Sequence, residues 1–517
     1  MIDLFRPTQD YVALMAGLAE VFLPDKQGRV YIGEGKLVAA LEHELRQELG
    51  TPTVPLATIN CTAALEMALH LAGVKRGDRV LASPMTCTAT SGAIVRAGAR
   101  IIWGDIDPMT GLLDPSDVAR KVRICRSADT VISPIKAIVA VDWAGRLCDY
   151  DALSQHGIPV IADAAHSYRA TRPDGQFSHT GADYVCWSFG PIKHLSAPHG
   201  GALLVPAEQR DRARLYRWHG LDRESNKDFR CGDQNIQEAG IKAHLTDVDA
   251  AILLANLKVA REGVETCRAN AKAYHDALSG LPGITLPRYD AGCSYWLFSL
   301  LTADRDGLSA YLQEHGIASS QVHARNDIHK AYAFNSGPLP GVDAFAGRQL
   351  NLPVGAHVTA DDCQRVIRAV SRWAAHRAGG RSVSALLLNG VEFSFFCDPV
   401  EVTSLHRPDT GWVLVDAQGH EHRWYTKGLP ATDYRPTETY ETPTLVDVFD
   451  GWGYYEDGER YAIHHFECRQ CGERVEPRYK ADDCRQYIPG LRRCFIDGAG
   501  VSYDTFTQRL NECQEGA

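Results

Sequence analysis

Three short segments of this 517-residue chain carry residue types whose order could do chemistry. In NCTAAL, residues 60–65, Thr62 and the amides of Thr62 and Ala63 fall where an apolar strand turns into a helix. A helix N-terminus holds phosphate well, and a plain Thr-capped helix would look the same. In ADAAHS, residues 162–167, Asp163 closes an apolar run and His166 follows it. A carboxylate at that place is either catalytic or paired. In DYVCWSFGPIKHLSAPHGG, residues 183–201, Ser188 ends another apolar run and Lys193 follows near a Gly-Gly turn. An isolated lysine is ordinarily a solvated charge. Taken in order, however, a phosphate-type helix start, an aspartate and, thirty residues later, a lysine suit pyridoxal 5'-phosphate. That cofactor needs a phosphate cradle, a carboxylate that keeps its pyridine nitrogen protonated, and a lysine to anchor it covalently. The lysine, once released, is also the base that moves the proton.

Positioning these side chains takes a sheet with helical crossovers. The chain alternates RVLASP, RIIWGDI, IKAIVAVD and IPVIADAA, which read as strands, with TAALEMALHLAGV, ATSGAIVRAGA, PSDVARKVR and YDALSQHG, which read as helices. Apolar strands separated by helices predict a mostly parallel sheet covered on both faces. Ligands of such sheets bind beyond the carboxyl ends of the strands, where all three segments fall.

Composition sets the outer limits. Hydrophobic residues make up 45% and charged residues 23%, the balance of a soluble globular protein. No apolar run is long enough to span a membrane, and the first residues, without a basic region followed by an apolar one, are not expected to act as a secretory signal. The 15 cysteines are therefore expected as reduced thiols or metal ligands, and the location as the cytoplasm. Residues 381–517 hold 14 Lys+Arg against 23 Asp+Glu, nearly all of the net charge of −10. Such an acidic tail repels phosphate backbones, which disfavours nucleic acid as a partner.

The segments YIGEGKLVAALEHEL, NCTAALEMALHLAGVKRGDRVL, TCTATSGAIVRAGARIIWGDIDP, VIADAAHSYRA, DYVCWSFGPIKHL, GGALLV and LTDVDAAILLANL resemble the DegT/StrS family of sugar aminotransferases over residues 30 to 375. The resemblance implies an α/β, aspartate-aminotransferase-like fold of type I: a large domain over residues 1–260 and a small one over 261–380. It implies Lys193 as the Schiff-base lysine, Asp163 as partner of the pyridine nitrogen and His166 at the phenolic oxygen. Ser188, Thr62 and Ala63 would form the phosphate cradle. The implied reaction moves the amino group of L-glutamate to a keto-sugar, nucleotide-linked and ketonic at carbon 4 or 3, in a homodimer. A PLP enzyme of another reaction type, or a non-catalytic regulator of the same fold, remains the alternative.

The chain departs from the family pattern in four places. Cys87 stands where an aromatic residue usually stacks on the cofactor ring. Lys242 stands where many members lend an Asn to the partner subunit's phosphate. Pro198 and His199 replace a Gly-Glu pair after the lysine, and Cys61 replaces a glycine. In the small domain, CSYWLFSLLT reads as a strand and DGLSAYLQEHG as a helix. The stretch QVHARNDIHKAY offers His323, Arg325 and His329 for substrate, or else forms a solvated loop. The basic run RWHGLDRESNKDFR, residues 217–230, is a further diphosphate candidate or a wet face.

Residues 385–517 lie outside the resemblance. Asn-Gly, Gln-Gly and Asp-Gly turns between alternating segments predict a β-rich module. Cys468 and Cys471, two residues apart in a knuckle-like pair, with Cys484 and Cys494 behind them, suit a structural zinc or a set of buried thiols.

Overall fold

The computed structural model describes residues 1–377 apart from 8, 25–29, 31–32, 127–132, 174–178, 223–233 and 335–336; beyond residue 377 it describes only strand segments of backbone. The chain divides into two units, Met1–Ala374 and Ala375–Ala517.

A seven-stranded sheet forms the centre of the first unit. Its strands are β1 (Leu56–Thr58), β2 (Arg79–Ala82), β3 (Arg100–Trp103), β4 (Ile135–Val141), β5 (Val160–Asp163), β6 (Tyr184–Ser188) and β7 (Gly201–Leu204), in the spatial order β1-β7-β6-β5-β4-β2-β3. The run from β3 through β2, β4 and β5 to β6 is parallel. The last two strands, β7 and β1, join antiparallel. Burial on both faces explains the uninterrupted apolar runs. All of β4 is buried except Lys136, and β5 and β7 are buried throughout.

The helices that position the site are α1 (Tyr11–Phe22), α2 (Lys36–Glu48), α3 (Cys61–Leu71), α4 (Thr88–Arg96), α5 (Asp247–Leu278) and α6 (Ala360–Arg377). All but α4 begin where a side chain accepts from a free amide of the first turn. Asn60 caps α3, its side chain accepting from the Ala63 amide at 2.8 Å. Thr246 caps α5 by accepting from Asp249 N at 3.3 Å. Gly35 has no side chain to cap α2, and Asp247 supplies the carboxylate from across the fold, accepting from Gly35 N at 3.0 Å and Val38 N at 2.9 Å.

Two apolar cores meet along α5. The first surrounds the large sheet and takes Leu253, Leu257 and Val264 from that helix. The second takes Cys267, Ala271, Tyr274 and Leu278, and packs them against Val366, Val370 and Trp373 of α6 and a two-stranded ladder of β8 (Phe298–Leu301) with β9 (Gln349–Leu352). The expected division at residue 260 falls inside this continuous helix of 32 residues.

In the second unit the strand segments pair antiparallel, as the turn spacing predicts. Leu386–Leu388 pairs with Val391–Phe393, Trp412–Asp416 with Glu421–Trp424, and Leu445–Tyr454 with Arg460–Cys468. Cys468 ends one strand and Cys494 lies within another, Arg493–Ile496. Cys471 and Cys484 lie outside the described residues. Among the described residues no group of three or more His, Cys, Asp or Glu is placed to hold a metal ion. No described helix is long and apolar enough to cross a membrane.

Candidate active site

The chemistry-bearing side chains collect at the carboxyl ends of β2, β5 and β6. Asp163 is the last residue of β5 and is 4% exposed. Its Oδ2 accepts from Thr90 Oγ1 at 2.6 Å and its Oδ1 from Ala165 N at 3.2 Å, with Cys61 Sγ 3.9 Å away. A hydroxyl, an amide and a thiol thus meet this carboxylate. Burial pushes its pKa above the usual carboxylate value, and the hydroxyl and amide oppose that only in part. Cys61 itself is held as a neutral thiol by burial.

Beyond β6 the chain turns at Gly190, whose carbonyl accepts from Lys193 N at 2.9 Å. The turn brings Lys193 Nζ within 3.5 Å of the Trp296 ring centroid. Burial lowers the amine from its ordinary value to about 8, and the opposing charge of Asp163 recovers part of the loss. His166 is 4% exposed, stacks on Trp296 at 3.9 Å and faces His323 at 5.4 Å with parallel rings. Burial keeps both imidazoles neutral, His166 far below its ordinary pKa and His323 at about 4. Neither His166 Nδ1 nor His323 Nε2 has a hydrogen-bond partner among the described residues.

The phosphate-type helix start is α3, with a correction to its cap: Asn60, not Thr62, closes the N-terminus, and the Ala63 amide is spent on it. The half-buried Thr62 stands in the first turn. Ser188 ends β6, its Oγ 3.5 Å from Gly190 N. Cys87 is exposed at the N-cap of α4 and lies within the electrostatic reach of Lys193.

Other expected residues stand apart from this cluster. Arg325 pairs with Asp327 at 2.6 Å and also with Asp343, so its charge is engaged by carboxylates. His329 is exposed between two short 3-10 turns. Lys242 is exposed beside Trp218, its Nζ 6.0 Å from that ring. Of the basic run, Arg217 is buried and bonds inward to Glu42 at 2.6 Å, to Glu34 and to the Ala57 carbonyl at 2.6 Å, which removes it as a phosphate contact. Residues 223–230 lie outside the described residues.

Three residues escaped the sequence reading. Thr90 fixes Asp163, and Trp296 lies between the lysine and the histidines. Asn326, 1% exposed, donates to Cys87 O at 3.2 Å and Ser91 Oγ at 2.8 Å, tying the expected substrate loop to the start of α4. Only Thr90 left a local signal, as a second hydroxyl four residues after Thr86, which lies just ahead of α4 and meets it at 2.8 Å.

Known proteins are similar to this chain in sequence and fold. A profile of the DegT/DnrJ/EryC1/StrS aminotransferase family matches residues 25–371. The spore coat polysaccharide biosynthesis protein SpsC of Bacillus subtilis is 27% identical over 362 residues, covering 66% of this chain and 90% of SpsC. The sugar aminotransferase CalS13 of Micromonospora echinospora superposes with a TM-score of 0.64 at 30% identity, over 72% of this chain and 99% of its own. DesI, solved in the presence of its TDP-sugar product, gives a TM-score of 0.62 at 26% identity over 73% and 93% of the two chains. With the family profile spanning two thirds of its length, and with Lys193 and Asp163 at the ends of adjacent strands, the chain belongs to the DegT/DnrJ/EryC1/StrS aminotransferase family.

Proposed function

We propose that this enzyme moves the amino group of L-glutamate to a nucleotide-linked keto-hexose, ketonic at carbon 4 or 3, for a polysaccharide or a sugar-bearing natural product. The observation that carries the reading is the buried, cation-seeking Asp163 opposite a half-buried lysine of lowered pKa. The residues present fit pyridoxal 5'-phosphate. The orphaned His166 Nδ1 offers a contact to a phenolic oxygen, and the first turn of α3, with Thr62 and Ser188 nearby, offers phosphate contacts. When bound, that cofactor supplies an electron sink for the carbon that loses its proton.

This chain's own groups do the rest. Asp163 would hold the pyridine nitrogen of that cofactor, its carboxylate fixed by the Thr90 hydroxyl and Ala165 N. Lys193 Nζ, neutral in useful amount near pH 8, takes the proton from the α-carbon of the donor and returns one at the acceptor carbon. His166 and His323, both uncharged, hydrogen-bond oxygens without adding positive charge beside the amine. SpsC and DesI support a sugar acceptor, with a nucleotide in the second case. We further propose a large domain over 1–260, a small one over 261–380 and the β-rich module over 385–517, a cytoplasmic homodimer, and Lys242 at the phosphate. Sedimentation as monomer only would overturn the dimer. For the four tail cysteines, metal analysis is expected to find about one zinc per chain, and none would remove that reading.

The test is the visible absorbance of the purified enzyme. A cofactor band that collapses with L-glutamate, returns with the keto-sugar and is missing in Lys193→Ala is expected. A band indifferent to glutamate would replace this donor, and no band after reconstitution would overturn the enzyme reading.

A further inference from the structure

Lys193 is an amine that must be deprotonated before it can bond to a carbonyl, yet its surroundings include a group that favours the ammonium. The Trp296 ring lies 3.5 Å from Nζ, and an indole face attracts a cation through its quadrupole. The same indole donates from Nε1 to the carbonyl of Ile192 at 2.8 Å, fixing the backbone one residue before the lysine. Trp296 is 5% exposed and is wedged between His166 at 3.9 Å and Phe5 at 5.1 Å, so it has little freedom to turn away. It precedes β8, packs within the first core, and bonds to the carbonyl of Ile192 across 104 positions of sequence.

We infer that Trp296 is a positioning residue for Lys193, holding the amine as an ammonium on its ring face while the site is without cofactor and releasing it when the covalent link forms. The inference rests on the reading of Lys193 as the cofactor lysine. The other titratable groups that face Nζ are Asp163, Cys61 and Cys87, which favour the charge if ionised, and His166, His194 and His323, which oppose it if protonated. Burial keeps the three histidines neutral and the Cys61 thiol protonated, leaving Asp163, Cys87 when ionised, and the ring as the groups that stabilise the ammonium.

The test follows the rate at which cofactor-free protein captures pyridoxal 5'-phosphate covalently, read by visible absorbance as a function of pH. In the wild type the rate rises through a midpoint near 8. Removing the ring face in Trp296→Leu lowers that midpoint by about half a unit to one unit, the pKa equivalent of a partly desolvated cation–π contact. Trp296→Phe keeps a face but loses the Nε1 donor, and falls between the two. A midpoint unchanged or raised in both variants, with capture intact, overturns the inference and leaves Trp296 as a wall. Loss of capture in Trp296→Leu with recovery at a lowered midpoint in Trp296→Phe supports it. Loss in both variants, while each still unfolds cooperatively on heating, overturns it. A separate outcome, Lys193→Ala capturing cofactor as fast as wild type, overturns the reading of the lysine itself. Intrinsic fluorescence supplies a second readout. The cofactor-free wild type shows a tryptophan emission step near pH 8 that Lys193→Met and Trp296→Phe both lack. A step that survives in either variant overturns the contact.

Discussion

At Asp163 the fold buries a carboxylate that Thr90, Ala165 N and Lys193 compensate only in part. An aspartate in the unfolded chain ionises near pH 3.9, whereas burial raises the folded value. The folded state therefore holds the proton more tightly, and the stability of the cofactor-free protein falls as pH rises from about 4 through that raised value. Replacing the carboxylate by a neutral isostere removes the cost. Asp163→Asn is expected to raise the Tm of cofactor-free protein at pH 7 by about 2 °C while weakening pyridoxal phosphate binding at least about tenfold. Differential scanning calorimetry with and without cofactor reads both. A lower Tm without cofactor would mean the carboxylate is a structural anchor instead. That Lys193, Asp163 and His166 would gather at one end of the sheet was legible in the sequence because each stands at or just past the end of an apolar run. The place of Trp296 beside them was not, because it depends on a contact 104 residues away and its own neighbours read only as a strand.

Elements here start and stop through partners distant in sequence. Asp247 caps α2 although 209 residues separate it from Val38. Asp247→Ala should cost about 1–2 kcal/mol in urea unfolding, with Asp247→Asn recovering most of it. Equal losses in both variants would point to charge rather than capping. The helix starts themselves were readable, but the identity of a cap was not always: Thr62 looked like the cap of α3, and Asn60, two positions earlier, closes it. The parallel strands were legible from their crossovers. That β7 alone runs the other way, between β6 and β1, was not, since a strand buried on both faces has the same apolar composition in either direction. At the loop of His323, Asn326 binds the start of α4. Asn326→Ala is expected to raise the KM for the sugar several-fold more than it lowers kcat, measured by steady-state kinetics with saturating L-glutamate.

For the whole molecule, the first question is what the acidic module adds. Met1–Ala374 holds both apolar cores and every residue placed near Lys193. A chain ending at residue 380 is expected to keep the cofactor band and to react with L-glutamate within about twofold of the full-length rate. A truncated protein that loses the band would make the module part of the folding unit.

The long helix α5 sets a different expectation for how this molecule comes apart. Its 32 residues extend about 48 Å, and the end that packs on the large sheet and the end that packs on β8 and β9 are one uninterrupted hydrogen-bonded rod. Neither core can melt while the other keeps its share of that rod intact, unless the rod itself breaks in the middle. The two cores are thus mechanically in series, and calorimetry of Met1–Ala374 should record one transition rather than two. In hydrogen exchange the slowest amides should lie near Val264 and Cys267, where the rod passes from one core to the other.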